Sequence, residues 1–158
     1  MATLSNPTFQ VDALTGMPNH YLVSGTVNVG LTPFEISLIQ MGFPLQLQTH
    51  IWADDTSPLA LTEGPSKSDY ISNYDDFLFL YPTQNISAPG TYTVNAIVPR
   101  SYLDEDNYWA GERDEAYNKF NLVTGNPSNL FPSNRIEINS PPVMGVVEYS
   151  KPILTTFF

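Results

Sequence analysis

Apolar and polar residues alternate with period two along much of the chain, and the alternating runs end at proline, glycine, asparagine or aspartate. A period of two puts successive side chains on opposite faces of an extended backbone, so each run reads as a strand with one buried face. In residues 21–29, Tyr21, Val23, Gly25, Val27 and Val29 share the inward face, with Leu22, Ser24, Thr26 and Asn28 outward. In residues 45–52, Leu45, Leu47, Thr49 and Ile51 alternate with Gln46, Gln48, His50 and Trp52. Residues 91–98 place Tyr92, Val94, Ala96 and Val98 inward, and 143–149 repeat the pattern with Val143, Gly145, Val147 and Tyr149. Phe77 to Tyr81 is apolar on both faces, which predicts a central strand covered from both sides.

Weaker alternation marks Thr8 to Ala13, Leu59 to Thr62, Phe120 to Thr124 and Arg135 to Asn139. With these the chain has about nine strands, which predicts an all-β fold: one antiparallel two-sheet β-sandwich, immunoglobulin-like or jelly-roll, spanning residues 1–158 as a single domain. Most of the prolines fall at the ends of the runs, where a missing backbone donor does least harm. Helix signals are confined to two short segments. Thr32 is placed to cap a turn with Pro33 in the first helical position and Glu35 three residues on, running to about Met41 before Gly42. Residues 112–120 have helix propensity and form the second candidate.

The segment Ala88-Pro89-Gly90-Thr91-Tyr92-Thr93-Val94 resembles the late strand of immunoglobulin-like sandwiches, in which Pro-Gly makes a turn and the tyrosine packs near the corner. The resemblance implies the fold alone and brings no functional residues with it.

Composition narrows the function. The chain has no cysteine, which removes thiol nucleophiles, cysteine-ligated zinc, iron–sulfur clusters and disulfide frameworks. Six Lys and Arg against 16 Asp and Glu give a formal charge of −10, the wrong sign for tracking a phosphate backbone or an anionic membrane surface, so neither nucleic acid nor membrane is expected as a partner. No stretch approaches the roughly 20 apolar residues of a membrane-spanning helix. The first residues, Met1 to Pro7, carry neither a basic run nor an apolar core, which predicts synthesis in the cytoplasm without a signal peptide. Charged residues are only 14% of the chain, below the roughly 25% of an average domain, so Ser, Thr, Asn and Gln supply most of the polar surface. Such neutral polar surfaces occur in proteins that work outside cells or inside large assemblies.

The acids are concentrated. Asp54, Asp55, Glu63, Asp69, Asp75 and Asp76 form one group, and Asp104, Glu105, Asp106, Glu112, Asp114 and Glu115 another. If the two regions converge at one end of a sandwich, Asp54, Asp55, Asp104 and Asp106 could supply oxygen ligands to calcium, the one cofactor this composition suggests, although no EF-hand spacing is present. Aromatic residues accompany the acids, and Tyr102, Asp104, Asp106, Tyr108 and Trp109 form a candidate binding loop for a protein or a sugar. The apolar end of the chain, Phe157 and Phe158, is expected to be buried within the domain or on a neighbouring subunit. His20 and His50 could approach each other if their strands pair, but their spacing does not suggest a metal site. There is no nucleophile elbow and no phosphate-binding glycine loop.

The leading expectation is therefore a non-enzymatic structural or interaction protein, a surface or decoration subunit of a larger assembly such as a virus particle, with itself or a shell protein as partner. A virion protein would reconcile an extracellular type of surface with the absence of an export signal. The alternative is a carbohydrate-binding module, calcium-assisted through the acidic aromatic loops. A glycoside hydrolase is third, since it needs only two carboxylates at a set separation, for which Glu63, Glu112 and Glu115 are available.

Overall fold

The structure is a computed structural model and describes residues 1–53, 77–103, 115–124 and 135–144. Among these residues the chain forms ten strands and two short helices in two antiparallel sheets, the sandwich expected from the alternation. The strands are β1 (Thr3–Ser5), β2 (Gln10–Ala13), β3 (His20–Gly30), β4 (Leu45–Ala53), β5 (Phe77–Leu80), β6 (Gln84–Ile86), β7 (Gly90–Pro99), β8 (Glu115–Thr124), β9 (Arg135–Asn139) and β10 (Val143–Met144). The helices are α1 (Pro33–Gln40) and α2 (Arg100–Leu103).

Several of the strands are halves of one interrupted ribbon. β1 and β2 pair with the two ends of β3 on one side, and β7 pairs along the other side, with Tyr21 opposite Val98 and Val29 opposite Gly90. This makes a sheet three ribbons wide. In the second sheet β4 and β8 run side by side from Leu45 opposite Thr124 to Ala53 opposite Ala116. β5 and β6 share the far side of β4, and β9 and β10 share the far side of β8, giving four ribbons. The chain crosses between the sheets after β3, after β6 and after β7, and it makes hairpin partners of β4 with β5 and β8 with β9. The pairing of β3 with β7 and of β4 with β8 gives the two-sheet sandwich a Greek-key connectivity. Tyr92 adds the local detail: its hydroxyl donates to the Ala88 carbonyl at 2.6 Å, closing the turn before β7.

The first crossing is made by α1. Thr32 accepts from the Glu35 amide while Glu35 reaches back to the Thr32 amide, a reciprocal cap that satisfies two orphan donors, and Pro33 occupies a position where no donor is needed. Gly42, at φ +96, ends the helix in a conformation that costs a side-chain-bearing residue energy. Glu35 is buried and its second oxygen lies 3.1 Å from the Met1 ammonium, which gives the carboxylate a charged partner.

The inner faces meet over an apolar core in which Val23, Val27, Leu47, Ile51, Val98 and Phe120 are fully buried. One polar residue lies among them. Asn118, on β8, has no exposed surface; its Nδ2 donates to the carbonyls of Thr8 and Ser24 in the opposite sheet, at 3.0 and 3.2 Å. Its Oδ1 accepts from the Tyr81 hydroxyl at 3.0 Å, and its backbone exchanges bonds of 2.8 Å with Ser140. Burial raises the Tyr81 hydroxyl far above its ordinary range, outweighing the opposite effect of the Asn118 hydrogen bond, so it stays a donor. The Thr8 carbonyl, turned toward Asn118, leaves the Thr26 amide to bond the Thr8 hydroxyl at 2.8 Å instead. Gly25 makes room: a Cβ there would collide with Asn118 Nδ2 and stand 2.5 Å from the Thr8 oxygen.

The structure corrects two expectations. Among the described residues Phe77 to Leu80 lies at an edge of its sheet and not at its centre, since β4 alone pairs with it there. Phe77 and Leu80 are 53% and 49% exposed, so apolarity on both faces reflects one buried face and one uncovered face. Residues 115–120 are strand, not helix: Ala116, Asn118, Phe120 and Leu122 point inward from β8, and pairing with β4 overrides local helix propensity. The candidate strand Leu59 to Thr62 and the continuation of β10 beyond Met144 lie outside the described residues.

The network predicts a non-additive pair of substitutions. Asn118→Ala should cost about 2–4 kcal/mol in urea unfolding, since it strips a partner from the buried Tyr81 hydroxyl and from the Thr8 and Ser24 carbonyls of the facing sheet. Gly25→Ala should destabilise the parent by about 1–3 kcal/mol and distinctly less in the Asn118→Ala background, where the colliding amide is gone, although the Thr8 carbonyl remains.

Candidate functional site

Of the residues singled out in the sequence, Tyr102 is described. It lies on α2, is 48% exposed, and its ring centre is 6.3 Å from that of Phe79. Asp54, Asp55, Asp104, Asp106, Tyr108, Trp109, Phe157 and Phe158 lie outside the described residues, as do Glu63 and Glu112. Glu115 is the first residue of β8. The stems of the acidic segments are described. Ala53, the last residue before segment 54–76, is the cross-strand partner of Ala116, which closely follows segment 104–114. Met144 pairs with Glu115, and Trp52 with Phe77, so segments 54–76, 104–114 and 145–158 all attach to the same end of the four-ribbon sheet. His20 and His50 do not meet as a strand pair: His20 is on β3 in one sheet and His50 on β4 in the other. Among the described residues no three His, Asp or Glu side chains gather as a metal site, and no helix is long and apolar enough to cross a membrane.

The described residues do bring chemistry together on the outer face of the four-ribbon sheet. β4 places His50 and Trp52 there, opposite Lys119 and Tyr117 of β8, because their neighbours Thr49, Ile51 and Ala53 fill the core. β5 adds Phe77, whose ring meets Trp52 and His50 edge-on with centres 5.9 and 5.8 Å apart. Lys119 Nζ lies 5.4 Å from the centre of the Trp52 ring, a cation over an aromatic face. β9 contributes Arg135 and Glu137. Glu137 takes Lys119 on one oxygen at 3.1 Å and Arg135 Nε on the other at 3.0 Å. Among the described residues the buried Trp52 indole N–H has no hydrogen-bond partner.

A directed chain of bonds orders the polar part. Arg135 Nε donates to Asn121 Oδ1 at 3.2 Å, which fixes the Asn121 amide so that its Nδ2 is 3.1 Å from His50 Nδ1. An amide N–H needs an acceptor, so His50 is neutral at Nδ1 and carries its proton on Nε2. Burial first, and then the positive charges of Arg135 and Lys119, hold its imidazole below the usual 6.5, against an opposing pull from Glu137. Sequence reasoning placed His50 and Trp52 on an outward face but missed this grouping. The missing information was that β8 begins at Glu115 and that β5 lies beside β4, which together put Lys119 and Phe77 next to the same two residues.

No known protein family matches the chain, and no curated protein sequence matches it. It is similar to a crystal structure described as "X-ray structure of Northeast Structural Genomics Consortium target SoR45", with 11% identity over 90% of this chain and 84% of that one and a TM-score of 0.34. A likeness that slight identifies neither a relative nor a function.

The His50 environment predicts an acid-sensitive contribution to stability. Its pKa is lowered on folding, so the contribution is complete above pH 6.5 and is lost as the pH falls, because the unfolded chain then binds a proton that the folded one resists. Thermal unfolding between pH 7.5 and pH 5 should therefore fall more steeply for the parent than for His50→Gln, measured side by side so that the carboxylates common to both cancel.

Proposed function

We propose that the protein is a non-enzymatic interaction subunit that enters a larger assembly, such as a virus particle, by offering the edge of β5 to an extended segment of a neighbouring protein. The observation that supports this reading is the contrast between β5 and the other sheet edges. A free edge exposes unpaired backbone groups, and folded proteins usually blunt it with charge, proline, interruption or a covering side chain. β7 has Gln84 donating to its Thr93 carbonyl at 2.8 Å. The β1–β2 ribbon is broken around Asn6, at φ +52, and Pro7, and β9 carries Arg135 and Glu137. β5, Phe77-Leu78-Phe79-Leu80, has no charge and no proline, has no partner on its far side among the described residues, and leaves Phe77 and Leu80 about half exposed.

The occupant is an extended apolar strand from a different protein, flanked by basic residues. Asp75 and Asp76 immediately precede β5 in the chain, and the net charge is −10, so like copies repel where a basic flank would be attracted. Main-chain bonds would give the affinity and alternate side chains the register, as in other strand-addition complexes.

Hydrogen exchange with a peptide of alternating valine and phenylalanine flanked by lysines tests the edge directly. The expected result is slowed exchange confined to residues 77–80, lost in Leu80→Lys, a substitution on the exposed face that should change stability by less than about 1 kcal/mol. Unchanged exchange at saturating peptide would overturn the reading. Concentration-dependent dimerisation in light scattering would replace the basic partner with a second copy.

A further inference from the structure

We propose that the outer face of β4, β8 and β9 binds a short acidic oligosaccharide, with a pyranose ring on Phe77 and a carboxylate at Arg135. This goes beyond the edge-strand reading and rests on different atoms: side chains on the sheet face rather than the backbone of its edge.

A sugar ring presents an apolar C–H surface and a rim of hydroxyls, so its receptor needs an exposed aromatic ring held still and fixed polar groups beside it. Phe77 is 53% exposed and is braced edge-on by both Trp52 and His50, so little ring freedom is left to lose on binding. The polar groups are equally constrained. His50 is held as the Nε2–H tautomer by the Asn121 amide, and Asn121 is held by Arg135. Glu137, fixed between Lys119 and Arg135, offers a carboxylate that remains 41% exposed to accept from sugar hydroxyls. The contacts run from Phe77 on β5 through His50 and Asn121 to Arg135 on β9, across three strand spacings of about 4.8 Å each, which is longer than one sugar ring and calls for a ligand of at least two.

Charge selects the acidic kind. The described residues contain three cationic side chains, Arg100, Lys119 and Arg135, and two of them lie on this face with Glu137. Around Arg135 the formal charges of Lys119, Arg135 and Glu137 sum to +1, on a chain whose net charge is −10. Arg135 uses Nε for Asn121 and Glu137, and its side chain is 52% exposed, so the terminal guanidinium nitrogens can take a carboxylate in a paired geometry. A protein-docking surface would be expected to exclude charge from its centre, where this face concentrates it.

Amide chemical-shift titration of the whole protein with trigalacturonate, sialyllactose and neutral lactose tests the proposal. At least one acidic sugar should shift amides of β4, β8 and β9 and bind about tenfold more tightly than lactose; which of the two does so separates a uronic from a sialic acid. Arg135→Gln should weaken the acidic sugar about tenfold while leaving lactose unchanged, and Phe77→Ala should weaken both, each variant first shown to keep the parent spectrum elsewhere. Equal shifts with acetate would reduce the site to unspecific anion attraction and overturn the proposal. So would the absence of shifts with all three sugars, or parent-like binding by both variants; broadening of these amides with protein concentration alone would assign the face to a protein contact instead.

Discussion

The contact on which the two sheets depend is the side chain of Asn118. A buried amide in an apolar layer must find partners or destabilise the fold, and Asn118 Nδ2 finds them by reaching across the sandwich to the Thr8 and Ser24 carbonyls. Three features of the opposite sheet follow from that reach. Gly25 carries no side chain at the point of approach, the Thr8 hydroxyl substitutes for its own carbonyl on the Thr26 amide, and the outer ribbon divides into β1 and β2 around that place. Tyr81 and Ser140 close the network from the side of the four-ribbon sheet. The apolar core sets how strongly the sheets attract, while this network sets one registry between them, since sliding either sheet would strand several buried polar groups together.

The same residue explains why part of the fold was hidden in the sequence. Runs such as Tyr21 to Val29 and Leu45 to Trp52 are legible because every inward position is apolar or small, and the structure buries the expected side chains. β8 has the same alternation, yet Asn118 interrupts its inward set with a polar residue and Tyr117 its outward set with an aromatic one, so the helix propensity around it gave the stronger local signal. β1, β6 and α2 are three or four residues long, too short for any period to register. The capping signals around α1 were legible because they depend on side chains three residues apart and not on tertiary contacts.

The outer-face cluster was illegible for a further reason. Its members come from four strands separated by up to 87 positions, from His50 to Glu137, and nothing in their local sequence connects them. What the alternation could show was that His50 and Trp52 point away from the core. Only the pairing of β4 with β5 on one side and β8 on the other gives those two residues their aromatic and charged neighbours, and only the hydrogen-bond direction set by Arg135 decides which imidazole nitrogen carries the proton.

The shared attachment of three chain segments to one end of the four-ribbon sheet has an electrical consequence. Segments 54–76 and 104–114 hold eleven of the 16 acidic residues between them, whereas Lys119 and Arg135 lie on the sheet itself. Among the described residues Asp12, Glu35, Glu115 and Glu137 stand against Arg100, Lys119 and Arg135, so nearly all of the formal charge of −10 belongs to the sequence outside them. The described sandwich is thus close to electrically neutral, and the charge that sets the protein's attraction to cationic partners is written outside its core.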